Sequence, residues 1–227
     1  MLIFLDIETT GLEAKDKICS IALIVIQDDK VDEIYELVNE GKKIPPLASS
    51  INHITNEMIK GKEKLTDTKA YKFLQENNLK TTTIVGHNVK FDLQKLHESG
   101  FNFIGNIIDT LRVTKHLIVE CEIFSLQFLR YELKLYKNEK TIIKPHHALD
   151  DARVVKMLFE YLLEISTLEN MIELSSLNVL MQKFEFGKYS GRYIEEISLC
   201  DRAYLEWMLK NILDLDEDLR YSINYYL

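Results

Sequence analysis

The sequence predicts an α/β fold in which a mixed five-stranded sheet is flanked by helices. Two observations carry this. The opening apolar run from Leu2, together with the β-rich runs Ile18–Gln27 and Lys30–Val38 joined at Asp28-Asp29, starts the sheet as three antiparallel strands. After these, strand and helix alternate, with strands over Lys80–Val85 and Asn102–Asp109, and that alternation implies a parallel half.

The stretch Leu2 to Leu12 is the one the rest answers to, because it drives two acids into an apolar run. Strand side chains alternate sides, so Asp6 and Glu8 project from one face. At roughly 4 Å and an effective dielectric of about 20, two such carboxylates repel by about 4 kcal/mol. A cation or a shared proton is needed to hold them there, unless the strand end simply delivers both acids to solvent. Beyond the hairpin, Ile44-Pro45-Pro46 breaks the pattern. Thr55 reads as a helix N-cap and Thr66–Asn78 as a helix.

The β-branched run into Gly86-His87-Asn88 marks a strand ending where a helix begins, with Asp92 in the first turns and Val89, Leu93 and Leu96 facing the core. Taken alone, Asp92 reads equally as an acid complementing a helix dipole. Leu111–Val119 and Ser125–Leu133 read as helices, and Lys134–Lys144 as a polar, basic connector that either guides a phosphate backbone or is a solvated loop. The long helix Ala148–Leu163 is apolar around much of its girth, so its periodicity does not choose between Asp150 and Asp151. Ser166–Leu180 is an amphipathic segment leading into Phe184–Tyr193, where two glycines suit a tight turn between short strands.

At 227 residues and 46% hydrophobic content, the chain can bury one good core with length to spare for a small second unit. The longest apolar runs fall well short of the roughly 18 residues of a membrane span, and Met1–Ile7 lacks the features of a signal peptide, so a cytoplasmic protein is expected. Cys19, Cys121 and Cys200 have neither disulfide-framework nor metal-ligand spacing and read as free thiols. The formal charge of −8 argues mildly against a non-specific nucleic-acid coat, but an enzyme whose site is built of carboxylates can be acidic.

Three motifs in order carry a resemblance. Asp6-Ile7-Glu8-Thr9-Thr10-Gly11-Leu12, Gly86-His87-Asn88-Val89-Lys90-Phe91-Asp92, and His146-His147-Ala148-Leu149-Asp150-Asp151 in the form H-x-A-x-x-D resemble the DnaQ-like (DEDDh) 3′–5′ exonucleases, over about residues 1–165. The resemblance implies a ribonuclease-H-like fold. It also implies two divalent ions, Mg²⁺ or Mn²⁺, held by Asp6, Glu8, Asp92 and Asp151, with His146 as general base; all-oxygen ligands suit those ions. Thr9, Thr10, Gly11, Leu12, Asn88 and Phe91 are the substrate-binding positions it implies. The family's H-x-I-T segment stands here as Asn52-His53-Ile54-Thr55, which departs at the histidine and puts that nucleotide contact in doubt.

Phe184 to Trp207 resembles the small C-terminal α+β module of exonuclease-X-type proteins, giving an expected division into 1–165 and 166–227. There Lys188, Tyr189 and Arg192 either contact a nucleic-acid strand or belong to a docking module for a polymerase or repair partner. The implied activity is metal-dependent release of 5′-mononucleotides from single-stranded or frayed DNA 3′ ends, in repair or proofreading. An RNA-trimming enzyme of the same superfamily and a catalytically silent nucleic-acid-binding subunit are the alternatives.

Overall fold

The computed structural model describes residues 1–28 and 30–227; Asp29, half of the expected hairpin turn, lies outside the described residues. The chain divides into two compact units, Met1–Ser175 and Ser176–Leu227. The first is built on a five-stranded sheet in the order β3-β2-β1-β4-β5, with β1 Leu2–Thr9, β2 Ile18–Gln27, β3 Lys30–Leu37, β4 Thr83–Gly86 and β5 Asn106–Asp109. β1, β2 and β3 pair antiparallel, Gln27 facing Lys30 across the hairpin, whereas β4 and β5 run parallel to β1. β5 is shorter than the expected 102–109 because its partner β4 starts only at Thr83, which faces Asn106.

Alternation along β1 splits the core in two. Ile3, Leu5 and Ile7 join Leu74 of α3 (Lys69–Glu76) and Val89 and Leu96 of α4 (Val89–Glu98) on one face. Phe4 joins the other, with Val113 of α5 (Thr110–Leu117), Leu129 of α6 (Leu126–Glu132) and the buried stripe Ala148, Ala152, Val155, Phe159 of α7 (Ala148–Leu163). Both faces of the sheet are thus covered, which is why β1 and β2 read as near-continuous apolar runs.

Two elements differ from the sequence reading. Pro45-Pro46, expected as a break, opens the short helix α1 (Pro46–Asn52), since proline at the first helical position gives up an amide that has no partner there anyway. Thr55 does cap the helical turn α2 (Asn56–Ile59), accepting from the Met58 N–H. The first unit also runs past residue 165. Helix α8 (Leu168–Ser176) buries Met171 completely in the core around α7, and the Ser175 hydroxyl accepts the Asp109 N–H at 2.8 Å.

The second unit has its own core of Phe184, Ile194, Ile197, Leu205, Met208, Leu219 and Ile223. It comprises α9 (Ile194–Cys200), α10 (Arg202–Asn211) and α11 (Glu217–Tyr226). The expected short strands reduce to a single bridge between Lys183 and Tyr193, so the β content of this module is minimal among the described residues. No helix of the described residues is long and apolar enough to cross a membrane, and all three cysteines are free.

Candidate active site

Asp6 and Glu8 leave β1 on the face covered by α7. Phe4 on that face meets Phe159 edge-on at 5.3 Å between ring centroids. The eight residues from Phe159 back to Asp151 span about 12 Å of helix, and the four from Phe4 to Glu8 about 13 Å of strand. The helix N-terminus is thereby carried over the two acids. Asp6, Glu8 and Asp151 each bring a carboxylate oxygen to within 4.8 Å of the others.

Asp92 approaches from α4. Because β4 ends at Gly86, the Ile7 amide has no strand partner on that side, and it donates to Asp92 Oδ1 at 3.1 Å. Asp92 therefore sits at the edge of the trio rather than inside it, yet close enough that its charge raises the Asp6 carboxyl. Asp150 and Asp151 diverge. Asp150 accepts from Arg153 Nη1 at 2.7 Å and from the Lys144 N–H at 3.1 Å, while Asp151 Oδ2 takes the His146 N–H at 2.8 Å.

The electrostatics of this arrangement are those of a cluster of buried anions. Among the described residues, no hydrogen bond or ion pair satisfies the carboxylates of Asp6 and Glu8. Burial, then the charges of Asp92, Asp151 and Glu8, push Asp6 well above the carboxylate range. Burial and then Asp151 and Asp92 bring Glu8 to about 8. Burial lifts Asp92 to about 8 and Asp151 to about 6, the latter opposed by the His146 amide. A hard divalent cation relieves all four at once, and the donor set of four carboxylates fits it.

His146 is exposed, with left-handed backbone at φ 59°. Its neighbour His147 lies half-buried against Tyr35, ring centroids 4.6 Å apart, with Nδ1 3.5 Å from Asp150. The two adjacent histidines thus occupy different environments, one open and one packed.

The end of β1 and the loop after it carry Thr9 to Leu12, the positions expected to meet substrate. The loop is braced by groups the sequence reading passed over. Asp16 accepts from the Thr10 hydroxyl at 3.1 Å, from the Glu13 N–H at 2.9 Å and from Lys42 Nζ at 2.5 Å. The Asp16 carboxylate lies so close to Gly11 that a Cβ there would come within 2.5 Å of it, which is why glycine stands at φ +156°. Buried Lys95 of α4 donates to the Glu13 carbonyl at 2.7 Å and to the Asp16 carbonyl at 3.3 Å. Held this way, the loop leaves Leu12 84% exposed. Asn52, where the family has histidine, is buried and donates to the Thr9 carbonyl at 3.2 Å while accepting the Ile54 N–H at 3.0 Å. At this position the side chain serves the loop's backbone.

Asn88 takes the left-handed conformation that opens α4, and its N–H donates to Asp109 at 2.9 Å. Phe91, on α4 itself, packs against the core, its ring centroid 5.9 Å from Lys95 Nζ. Beneath this junction half-buried His87 sits between the Thr110 hydroxyl and the Phe124 carbonyl, and desolvation lowers it to about 4, so it stays neutral. Gln127 was also passed over as a functional residue. Its Nε2 donates to Asp151 Oδ1 at 2.6 Å, and its Oε1 accepts from Arg130 Nη1 at 3.1 Å, which fixes the amide's orientation. Arg130 is in turn clamped by both oxygens of Glu139 at 2.6 and 2.8 Å.

A mixed sheet with acids of three elements gathered at one end is the frame of a metal-using nuclease, and comparison with known proteins gives the family. The chain belongs to the exonuclease family, whose model matches residues 3–159, and a second model, exodeoxyribonuclease X-like C-terminal, matches residues 184–212. Exodeoxyribonuclease 10 of Escherichia coli is 28% identical over 237 residues, spanning 100% of this chain and 99% of that protein. The PolC-type DNA polymerase III of Thermotoga petrophila is 31% identical over 191 residues, spanning 81% of this chain but 13% of the polymerase. Among solved structures, exonuclease X in complex with 5′ overhanging duplex DNA superposes with a TM-score of 0.64 at 26% identity, covering 78% of this chain and 100% of that one. The fold is the mixed five-stranded ribonuclease-H-like sheet of these exonucleases, and the family uses divalent metal ions.

Proposed function

We propose that this chain is a DEDDh-type 3′–5′ exonuclease that releases 5′-mononucleotides from single-stranded or frayed DNA ends in repair or proofreading. The observation that carries the reading is the convergence of the Asp6, Glu8 and Asp151 carboxylates within 4.8 Å of one another. Asp6, Glu8, Asp92 and Asp151 would hold two ions, Mg²⁺ or Mn²⁺. When bound, such ions supply positive charge to the attacking water and the departing oxygen.

The rest of the chemistry belongs to the chain. His146 accepts a proton from the water, whose oxygen forms the new bond to the phosphorus of the terminal nucleotide. The bond from that phosphorus to the 3′ oxygen of the penultimate nucleotide breaks, and that oxygen leaves with the shortened strand. The backbone at Thr9, Thr10 and Gly11 meets the terminal 3′-hydroxyl, exposed Leu12 wedges against the last bases, and Asn88 and Phe91 border the sugar. Contacts of this kind read the end and the backbone, so little sequence preference is expected.

The match to exodeoxyribonuclease 10 over 99% of that protein's length supports an enzyme acting on DNA. The C-terminal module, with exposed Trp207 and Leu199 on its own core, is the place where a polymerase or repair partner would dock, in the cytoplasm. The test is digestion of matched 3′-labelled and 5′-labelled DNA and RNA strands with Mg²⁺ and with chelator. Mononucleotides appearing first from the 3′ label of DNA, and only with metal, are expected. Cleavage that persists in excess EDTA, starts from the 5′ end or prefers RNA overturns the reading.

A further inference from the structure

The basic connector before the last motif is a folded surface rather than a solvated loop. Between Arg130 and Lys144 the sequence places five cations and two acids in a chain of net charge −8. Glu139, one of those acids, is committed to Arg130. Lys134, Lys137 and Lys140 are exposed, and among the described residues none of their ammonium groups meets a carboxylate. A 3₁₀ turn over Leu135–Asn138, anchored by buried Leu135, holds the segment in shape. On the same surface Tyr131 and Tyr136 are 59% and 41% exposed, their ring centroids 5.6 Å apart.

The position of this patch is fixed by the contacts already described. Asp151 is bound by Gln127, Gln127 by Arg130, and the Arg130 guanidinium lies 5.1 Å from the Tyr131 ring centroid. Tyr131 is therefore three side-chain contacts from the carboxylate cluster, and Tyr136 four. Exposed aromatic faces beside uncommitted lysines are what a single strand needs, since every base has a face to stack and every nucleotide a phosphate to meet. In the C-terminal module, the two cations that the sequence put forward for such a surface are committed to acids. Lys188 pairs with Asp201 and Arg192 with Glu196, and residues 176–227 hold nine acids against six cations.

We propose that Tyr131, Lys134, Tyr136, Lys137 and Lys140 form a second binding site for single-stranded DNA, engaging the strand upstream of the end that enters the carboxylate cluster. The proposal rests on the exonuclease reading, and it predicts that affinity depends on strand length. Grooves of this kind span about 4–16 nucleotides, so a mononucleotide ester cannot reach the patch from the cluster.

The experiment measures binding of a 5′-fluorescein oligothymidylate by the full chain in EDTA across a salt series. It is paired with metal-dependent hydrolysis of the same strand and of thymidine 5′-monophosphate p-nitrophenyl ester. Replacing Lys134, Lys137 and Lys140 together by glutamine should reduce the slope of log K against log salt by about 2, from roughly 0.7 per phosphate. Tyr131→Ala with Tyr136→Ala should weaken strand binding by about tenfold or more. Both sets of variants should hydrolyse the aryl ester like wild type, which also reports that they are folded. An unchanged salt slope and unchanged affinity in both sets overturn the second site. Wild-type protein that hydrolyses neither substrate refutes the nuclease reading instead, and the binding series in EDTA then decides the site by itself.

Discussion

Replacing Gln127 with alanine should weaken metal binding without touching a metal ligand. Asp151 is held from two sides, by the His146 amide at 2.8 Å and by Gln127 Nε2 at 2.6 Å. The substitution removes the second bond, leaving Asp151 free to rotate and less favourably ionised in a site where burial already lifts it to about 6. A hydrogen bond to a charged acceptor is worth about 1.5–3 kcal/mol, which at about 1.4 kcal/mol per decade is roughly 10- to 150-fold. That range overlaps the roughly 10- to 100-fold typical of groups that orient metal ligands. The assay is the Mg²⁺ concentration giving half-maximal cleavage of a labelled strand, for wild type, Gln127→Ala and Gln127→Glu. Alanine should shift it upward by at least about tenfold, with saturating metal restoring much of the rate. Glutamate places a like charge against Asp151 and should be worse than alanine. A shift below about threefold in Gln127→Ala, with the protein folded, refutes the claim that this amide sets the posture of Asp151.

The metal should stabilise the fold more at high pH than at low. Glu8 and Asp92 titrate near 8 and Asp151 near 6 in the folded chain, all above their ordinary values, so the metal-free protein has their full contribution only below about pH 4 and loses it as pH rises through 6 and 8. Thermal melts with and without Mg²⁺ should show a small shift at acidic pH and a large one above pH 8, and equal shifts would contradict metal binding by the cluster; Asp6→Asn should raise the metal-free melting temperature at the higher pH while abolishing cleavage. His146→Ala should slow single-turnover cleavage by about 10²–10⁴, whereas His147→Ala should cost mainly the Tyr35 contact and appear in stability; the reverse pattern would assign the base to His147. A chain ending at Ser176 should fold and retain metal-dependent cleavage, but one ending at Ile165 should melt lower, because it loses the fully buried Met171 and the Ser175 bond to Asp109.

What could be read in advance was what depends on neighbours in sequence. Strand period gave β2 and β3 to within a residue and the start of β1, whose end at Thr9 falls short of the apolar stretch to Leu12. The alternation of Asp6 and Glu8 placed both on one face in the same way. Between Asp150 and Asp151, which periodicity left open, only motif spacing chose, and the structure turns one toward Arg153 and the other toward the cluster. Invisible in advance were contacts made across the fold by single polar residues. Asp16, Lys95 and Gln127 occupy polar positions to which the local pattern assigns no role, and each has a partner distant in sequence. The boundary at Ser175 belongs to the same class, since the amphipathic pattern of 166–180 says that a face is buried without saying in which core.

His146 has a consequence for anyone who would engineer this protein. It holds a left-handed backbone at φ 59°, a conformation glycine adopts without the steric cost that a side chain brings, which for an ordinary residue is about 1–2 kcal/mol. A screen for thermal robustness would therefore favour His146→Gly and report success, while discarding the residue assigned to take the proton. The strain falls at the residue proposed as the base, and selection for hardiness alone would quietly remove it.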